Sequence, residues 1–307
     1  MLFSIITFIA IASILDLASS LPTKRQAGPA DADILQYALT LEHLENAFYK
    51  KALSEMPEQM WLDANFSSSF YNQLKYIVHD EEAHVVYLQT GLTAAGAAPV
   101  EACEYKFPFT DPKSFVALAS VIEGVGVSAY LGAAADITTK AYLTAAASIL
   151  ATEALHQSTE RSANGEIPMA NPLSTPLGLN AVYSIASSFI VSCPSTNAVL
   201  PVMAYSSLAL KSGLPTAPGA SIVLVPETIP SGTFYTTFVS GLDAIAVESQ
   251  VGSDGLIMNV VPLSISGQSY AFLTRDKSGN LTDANIIAGP VVIEVTPDSP
   301  TFSLMVI

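Results

Sequence analysis

The chain has 307 residues, half of them apolar and only 13% charged, which excludes a disordered polyelectrolyte and leaves enough apolar surface for one large core or two ordinary ones. Twenty-seven acids against twelve bases give a net charge of −15, and no basic run of the kind that follows a phosphate backbone occurs, so nucleic acid is not an expected partner. The acidity is read as a solvated surface before it is read as a field for cations, because net charge governs solubility more than function.

Residues Leu2 to Leu15 form an apolar run closed by Asp16, with Ala18 and Ser20 at the −3 and −1 positions of a signal-peptidase site. The run is too short for a membrane span, so residues 1–20 are expected to be a signal peptide and the mature protein to have no span. A positively charged start, usual in signal peptides, is missing. Residues 21–25 then form a short pro-segment ending in the dibasic pair Lys24-Arg25. Two sequons, Asn65-Phe66-Ser67 and Asn280-Leu281-Thr282, mark Asn65 and Asn280 as glycosylation sites on the same secretory route to the medium or the cell wall. Cys103 and Cys193 are the only cysteines and are expected to pair in an oxidising compartment.

Residues 31–165 read as helix almost throughout, rich in Ala and Leu. Four helices are expected near 31–54, 67–96, 112–136 and 139–163, the third started by Thr110-Asp111-Pro112, a cap followed by proline at the first helical position. Short links within each pair and a long stretch from about 97 to 111 predict two helical hairpins joined by one crossover, a four-helix bundle. Residues 166–215 form a Pro-rich connection with one short helix near 179–191. Residues 216–307 carry β-branched and aromatic segments (221–225, 233–239, 257–265, 270–274 and 291–295) separated by Gly, Pro, Ser and Asp. They predict an antiparallel β-sandwich of six to eight strands, and hence an α+β protein of two domains.

The chemistry lies in the helices. Glu81-x-x-His84 places a carboxylate and an imidazole one turn apart on the face that carries Leu74, Ile77 and Leu88. Glu153-x-x-His156 repeats the arrangement in line with Ala146 and Ile149. A single such pair is more often a surface ion pair, but two of them, each in the second helix of its hairpin, use two of only four histidines. The first helices supply Glu42 and Glu123. The latter is the only acid between Phe115 and Ala135, where an unpaired buried charge would cost several kcal/mol. Taken alone, Glu123 also suits a protonated core residue and Glu42 a solvated face. Glu45, three residues from Glu42, is an alternative ligand on the first helix. Tyr49 follows Glu42 by seven residues and Tyr130 follows Glu123 by seven, so each hairpin reads Glu, Tyr, Glu-x-x-His. Four gathered carboxylates would repel one another. Two divalent cations relieve that repulsion, and mixed oxygen and imidazole donors without thiolate suit iron or manganese.

At these residues the chain resembles the ferritin superfamily, with a ligand pattern similar to bacterioferritin and rubrerythrin. The resemblance implies that Glu81 and Glu153 bridge two iron ions, with manganese as the alternative. It further implies that His84, His156, Glu42 and Glu123 are terminal ligands, and that Tyr49 and Tyr130 support the glutamate of the opposite hairpin. The run from Leu41 to Tyr49, Phe115 to Ala135, Thr175-Pro176-Leu177-Gly178 and Phe189 to Pro194 resemble exported fungal late sexual development and stress-response proteins, similar in turn to plant desiccation-related proteins. Two functions remain open: redox handling of oxygen or peroxide at a metal pair, as a ferroxidase or peroxidase, or a non-enzymatic wall or matrix role with the bundle as scaffold. A manganese catalase-like enzyme shares the same fold.

Overall fold

The computed structural model describes residues 30–211, 213 and 215–301; the expected signal peptide and pro-segment lie outside the described residues. The start signals become caps. Ser67 accepts the Phe70 amide at 3.1 Å ahead of α3 (Ser68–Ala94). Asp111 accepts the amides of Lys113 and Ser114 at 2.9 and 3.0 Å ahead of α4 (Pro112–Ala133), with Pro112 at the first helical position as its fixed φ favours. Together with α1 (Asp31–Glu55) and α5 (Lys140–Ala163) these form two hairpins, α1 with α3 and α4 with α5, joined by the long crossover. By length and composition α4 could cross a membrane, but 72% of its apolar window is buried inside the protein, which makes it the core helix.

The first link holds a helix that the sequence reading left out, α2 (Glu58–Asp63), begun after Pro57. Its Trp61 is fully buried, donates to the Met56 carbonyl at 2.9 Å and packs edge-on against Phe66 and Phe115. The crossover is strapped down by Gln36, whose side chain bonds both the Ala98 carbonyl and the Val100 amide. The predicted helix over 179–191 stops early. The α6 segment (Leu179–Ala186) passes through one 3-10 turn, and β-branched Ile190 and Val191 then enter β2 (Ile190–Ser192), paired with β1 (Glu104–Tyr105) in the crossover. Beside this pair Cys103 and Cys193 are bonded, closing a span of 90 positions. Replacing either cysteine by serine is expected to cost about 2–5 kcal/mol. That would be read as a lowered melting temperature matching the reduced wild type; an unchanged melt would mean that the staple adds nothing.

Among the described residues, seven further strands make two antiparallel sheets. The three-stranded sheet runs in the order β3 (Leu208–Leu210), β4 (Ser221–Pro226), β7 (Ile257–Val260). The four-stranded sheet runs β6 (Asp243–Ser249), β5 (Phe234–Ser240), β8 (Gly267–Thr274), β9 (Ile286–Val295). They face each other over one core that includes Ile222, Leu224, Phe238, Ile257, Leu273 and Ile293. β3 lies upstream of residue 216, where the sheet region was expected to begin, and β6 was not foreseen. The other face of the four-stranded sheet is buried too: Val239, Tyr270 and Phe272 join the core of the helices. This explains why β5 and β8 are buried along nearly their whole length rather than alternately. The Tyr270 hydroxyl meets Ser128 Oγ at 2.8 Å and donates to the Gly124 carbonyl at 3.1 Å, while Gln268 donates to the Val121 carbonyl. The sheet therefore braces α4 on either side of Glu123.

Candidate metal centre

The bundle brings the expected ligands to one buried point. Glu42 comes from α1, Glu81 and His84 from α3, Glu123 from α4, and Glu153 and His156 from α5. All four glutamates are fully buried and both histidines nearly so. Their donor atoms fall into two groups, Glu42, Glu81, His84, Glu153 and Glu81, Glu123, Glu153, His156, with the atoms of each group within 4.8 Å of one another. Glu81 and Glu153 are common to both.

His84 Nδ1 lies 3.2 Å from Glu42, 3.3 Å from Glu153 and 3.7 Å from Glu81. His156 Nδ1 lies 2.9 Å from Glu81 and 3.5 Å from Glu123. None of these approaches is aligned as a hydrogen bond, so Glu42 Oε2, Glu123 Oε2, both oxygens of Glu81 and of Glu153, and both Nδ1 atoms are buried with no hydrogen-bond partner beyond these ion-pair approaches. Orphaned buried polar atoms are rare and costly, and here they converge. They number enough for two positions of four donors each, and Glu81 turns Oε2 to His84 and Oε1 to His156. The donor set fits a pair of cations.

The outer oxygens are already satisfied. The Tyr49 hydroxyl donates to Glu123 Oε1 at 2.5 Å, and the Tyr130 hydroxyl donates to Glu42 Oε1. Each tyrosine, two turns along from one glutamate, thus serves the glutamate of the other hairpin and leaves its inner oxygen free. His156 is held from behind by Asp80, whose carboxylate is 3.3 Å from Nε2. Such a partner fixes the ring and raises its basicity.

Burial dominates the electrostatics. It pushes Glu153 well above the usual carboxylate range, helped by the charges of Glu81 and Glu123, and brings Glu42 to about 7 against the pull of His84 and Tyr130. Burial also acts to raise Glu81, but His156 and His84 beside it prevail and hold it at about 2. Burial opposes the charged form of His156, yet Glu123 and Glu81 carry it to about 11, and His84 is raised further by Glu153 and Glu42. Both imidazoles are thus driven toward their charged form by the carboxylates around them.

Of the two α1 candidates, Glu42 enters the first group and Glu45 enters neither. Glu45 is buried beside Gly126, where a β-carbon would stand 2.8 Å from its Oε1 and 2.9 Å from Glu153 Oε2. Only glycine leaves room there for both carboxylates. Three residues depart from the sequence reading. Glu160 is fully buried, 3.4 Å from the Tyr49 hydroxyl through Oε1, with Oε2 unpartnered. Its place seven residues after Glu153, on the same face of α5, was the available signal. Asp80, next to Glu81 on α3, orients His156. His43, next to Glu42 on α1, is buried and bonds the Val100 carbonyl at 3.1 Å. The sequons Asn65 and Asn280 are both exposed.

Residues 30–166 match the family of the ferritin-like domain. A curated relative, Protein rds1 of Schizosaccharomyces pombe, is 23% identical over 198 residues, covering 64% of this chain and 48% of its own, so the chain spans about half the length of that relative. A crystal structure of a conserved hypothetical protein from Mycobacterium tuberculosis aligns with 46% of this chain and 96% of its own at a TM-score of 0.38 and 18% identity.

Proposed function

We propose, from the premise that residues 30–166 are a ferritin-like domain, that this domain holds a carboxylate-bridged pair of divalent cations, iron in preference to manganese, and uses it in redox chemistry. The observation that carries the reading is the convergence of partnerless buried donors into two groups that share Glu81 and Glu153. In this reading Glu81 and Glu153, common to both donor groups, would serve both ions, with Glu42 and His84 completing one set of donors and Glu123 and His156 the other. Tyr49 and Tyr130 hold the outer oxygens of the terminal glutamates, and Asp80 fixes His156. Bound iron or manganese supplies one-electron chemistry toward dioxygen or peroxide. The burial of the cluster keeps bulk water from competing for the donors.

An extracellular setting belongs to the same proposal. It is supported by the disulfide, which persists in oxidising compartments, and by the apolar N-terminal run. The test is oxidation of ferrous iron and consumption of peroxide by protein loaded anaerobically, compared with the Glu81→Ala, His84→Ala double variant. Turnover is expected in the wild type and lost in the variant. Equal rates in the two proteins would reject the redox role and favour the scaffold reading.

A further inference from the structure

One end of the bundle is hollow. Where α1, α3, α4 and α5 meet there is a cavity of about 250 Å³. Leu41, Leu88 and Ile149 line it, but Ala38, Gly91, Ala133 and Ala146 stand among them and are too small to fill the space. At Gly91, in the middle of the last turns of α3, an added β-carbon would meet no atom within 4 Å. It reaches the surface along α3, where the lining residues Tyr87 and Thr90 are exposed.

The inner wall is set against the candidate metal centre. Ala38 precedes Glu42 by four residues, Leu88 follows His84 by four, and Ile149 precedes Glu153 by four, so each lies one helical turn from a proposed ligand. Tyr130 lines the same space, and its hydroxyl is committed to Glu42. The Glu42–His84 half of the cluster is the half that the cavity approaches; neither Glu123 nor His156 has a neighbour one turn away in its wall.

We propose that this cavity binds a small neutral apolar molecule and places it against the Glu42–His84 side of the cluster. Buried apolar volume of about 150 Å³ suffices to take up benzene, so this one has room for a bicyclic aromatic or an alkyl chain of about eight carbons. The lining offers no charged group to an ionic ligand, and the net charge of the chain disfavours anions. A single polar end would be turned to the exposed rim at Tyr87 and Thr90. Binding rests on the cavity alone; only its bearing on chemistry rests on the metal reading.

The probe is 2-naphthol, neutral at pH 7 and fluorescent, titrated into metal-free protein. Saturable one-to-one binding is expected, weakened at least about tenfold, or about 1.4 kcal/mol, by Gly91→Phe, which fills the space from α3, and by Ala146→Leu from α5. Gly91→Ala, which improves helix propensity and leaves most of the volume, is expected to bind as wild type and shows that the position itself tolerates change. In protein loaded with cobalt(II), 2-naphthol is expected to shift the visible absorption of the metal in the wild type and not in Gly91→Phe. Absence of saturable binding, or equal binding by wild type and both filled variants, would overturn the proposal. Binding by a protein that proves to take up no metal would support the cavity and remove only the metal reading.

Discussion

Replacing Glu153 by glutamine is expected to empty both metal positions while leaving the metal-free protein at least as stable as the metal-free wild type. Glu153 is fully buried, both its oxygens lack partners, and it belongs to both donor groups. An amide of the same shape removes a charge that burial and the neighbouring carboxylates already disfavour, and it brings an N–H₂ that can donate to those neighbours. In the proposed centre the same change would take an anionic oxygen from each donor group. Free metal at about a thousand times its Kd stabilises the native state by about 4 kcal/mol per site. Chelation should therefore lower the melting temperature of the wild type by on the order of 10 °C or more and leave the variant unmoved. His84→Ala should differ, since it takes one donor from one position only. Two metals retained per chain in Glu153→Gln would refute the bridging role.

The second large effect lies at the seam between helices and sheet. Arg161, the residue after Glu160 on α5, makes two bonds of 2.7 Å to Glu294 on β9 and donates from Nε to the Ile167 carbonyl at 3.0 Å, with both side chains buried. Glu166 stands 3.4 Å away on the same guanidinium. Arg161→Ala is expected to cost about 3–5 kcal/mol, because two carboxylates would be left at a buried seam without their cation. The paired replacement Arg161→Met with Glu294→Leu is expected to recover most of that loss, since well-packed apolar residues often substitute for a buried ion pair. Thermal melts of the three proteins decide it. A single variant that melts within about 2 °C of wild type would show that the pair is not structural.

The helices were legible because their apolar period and caps act locally: Asp111 and Pro112 start α4 as their side chain and fixed φ require. The donor set was legible because Glu-x-x-His is a spacing within one helix, and because an acid alone in the apolar run of α4 has to be answered by a partner. Tertiary partners were not legible. Glu160 sits in Gln157-Ser158-Thr159-Glu160-Arg161, a polar string that reads as the solvated end of a helix, and only the packing of α1 buries it beside Tyr49. Glu294 interrupts an apolar strand and signals a need for a counter-ion, but its partner stands 133 residues earlier. α2 was hidden by its length, six residues held mainly by the burial of Trp61. β6 was hidden by its composition, since Asp243-Ala244-Ile245-Ala246-Val247 lacks the density of β-branched residues and exists as the hairpin partner of β5 across Gly241, which takes the positive φ of 58°. The end of α6 is set by β1, a strand in the distant crossover.

The central claim is that the bundle holds a pair of metal ions, and elemental analysis tests it most directly. The protein would be purified without added metal or chelator and compared with its Glu81→Ala, His84→Ala double variant. About two iron or manganese ions per chain in the wild type, absent from the variant, is the expected result. No stoichiometric metal in the wild type, even after anaerobic loading with ferrous iron, would contradict it.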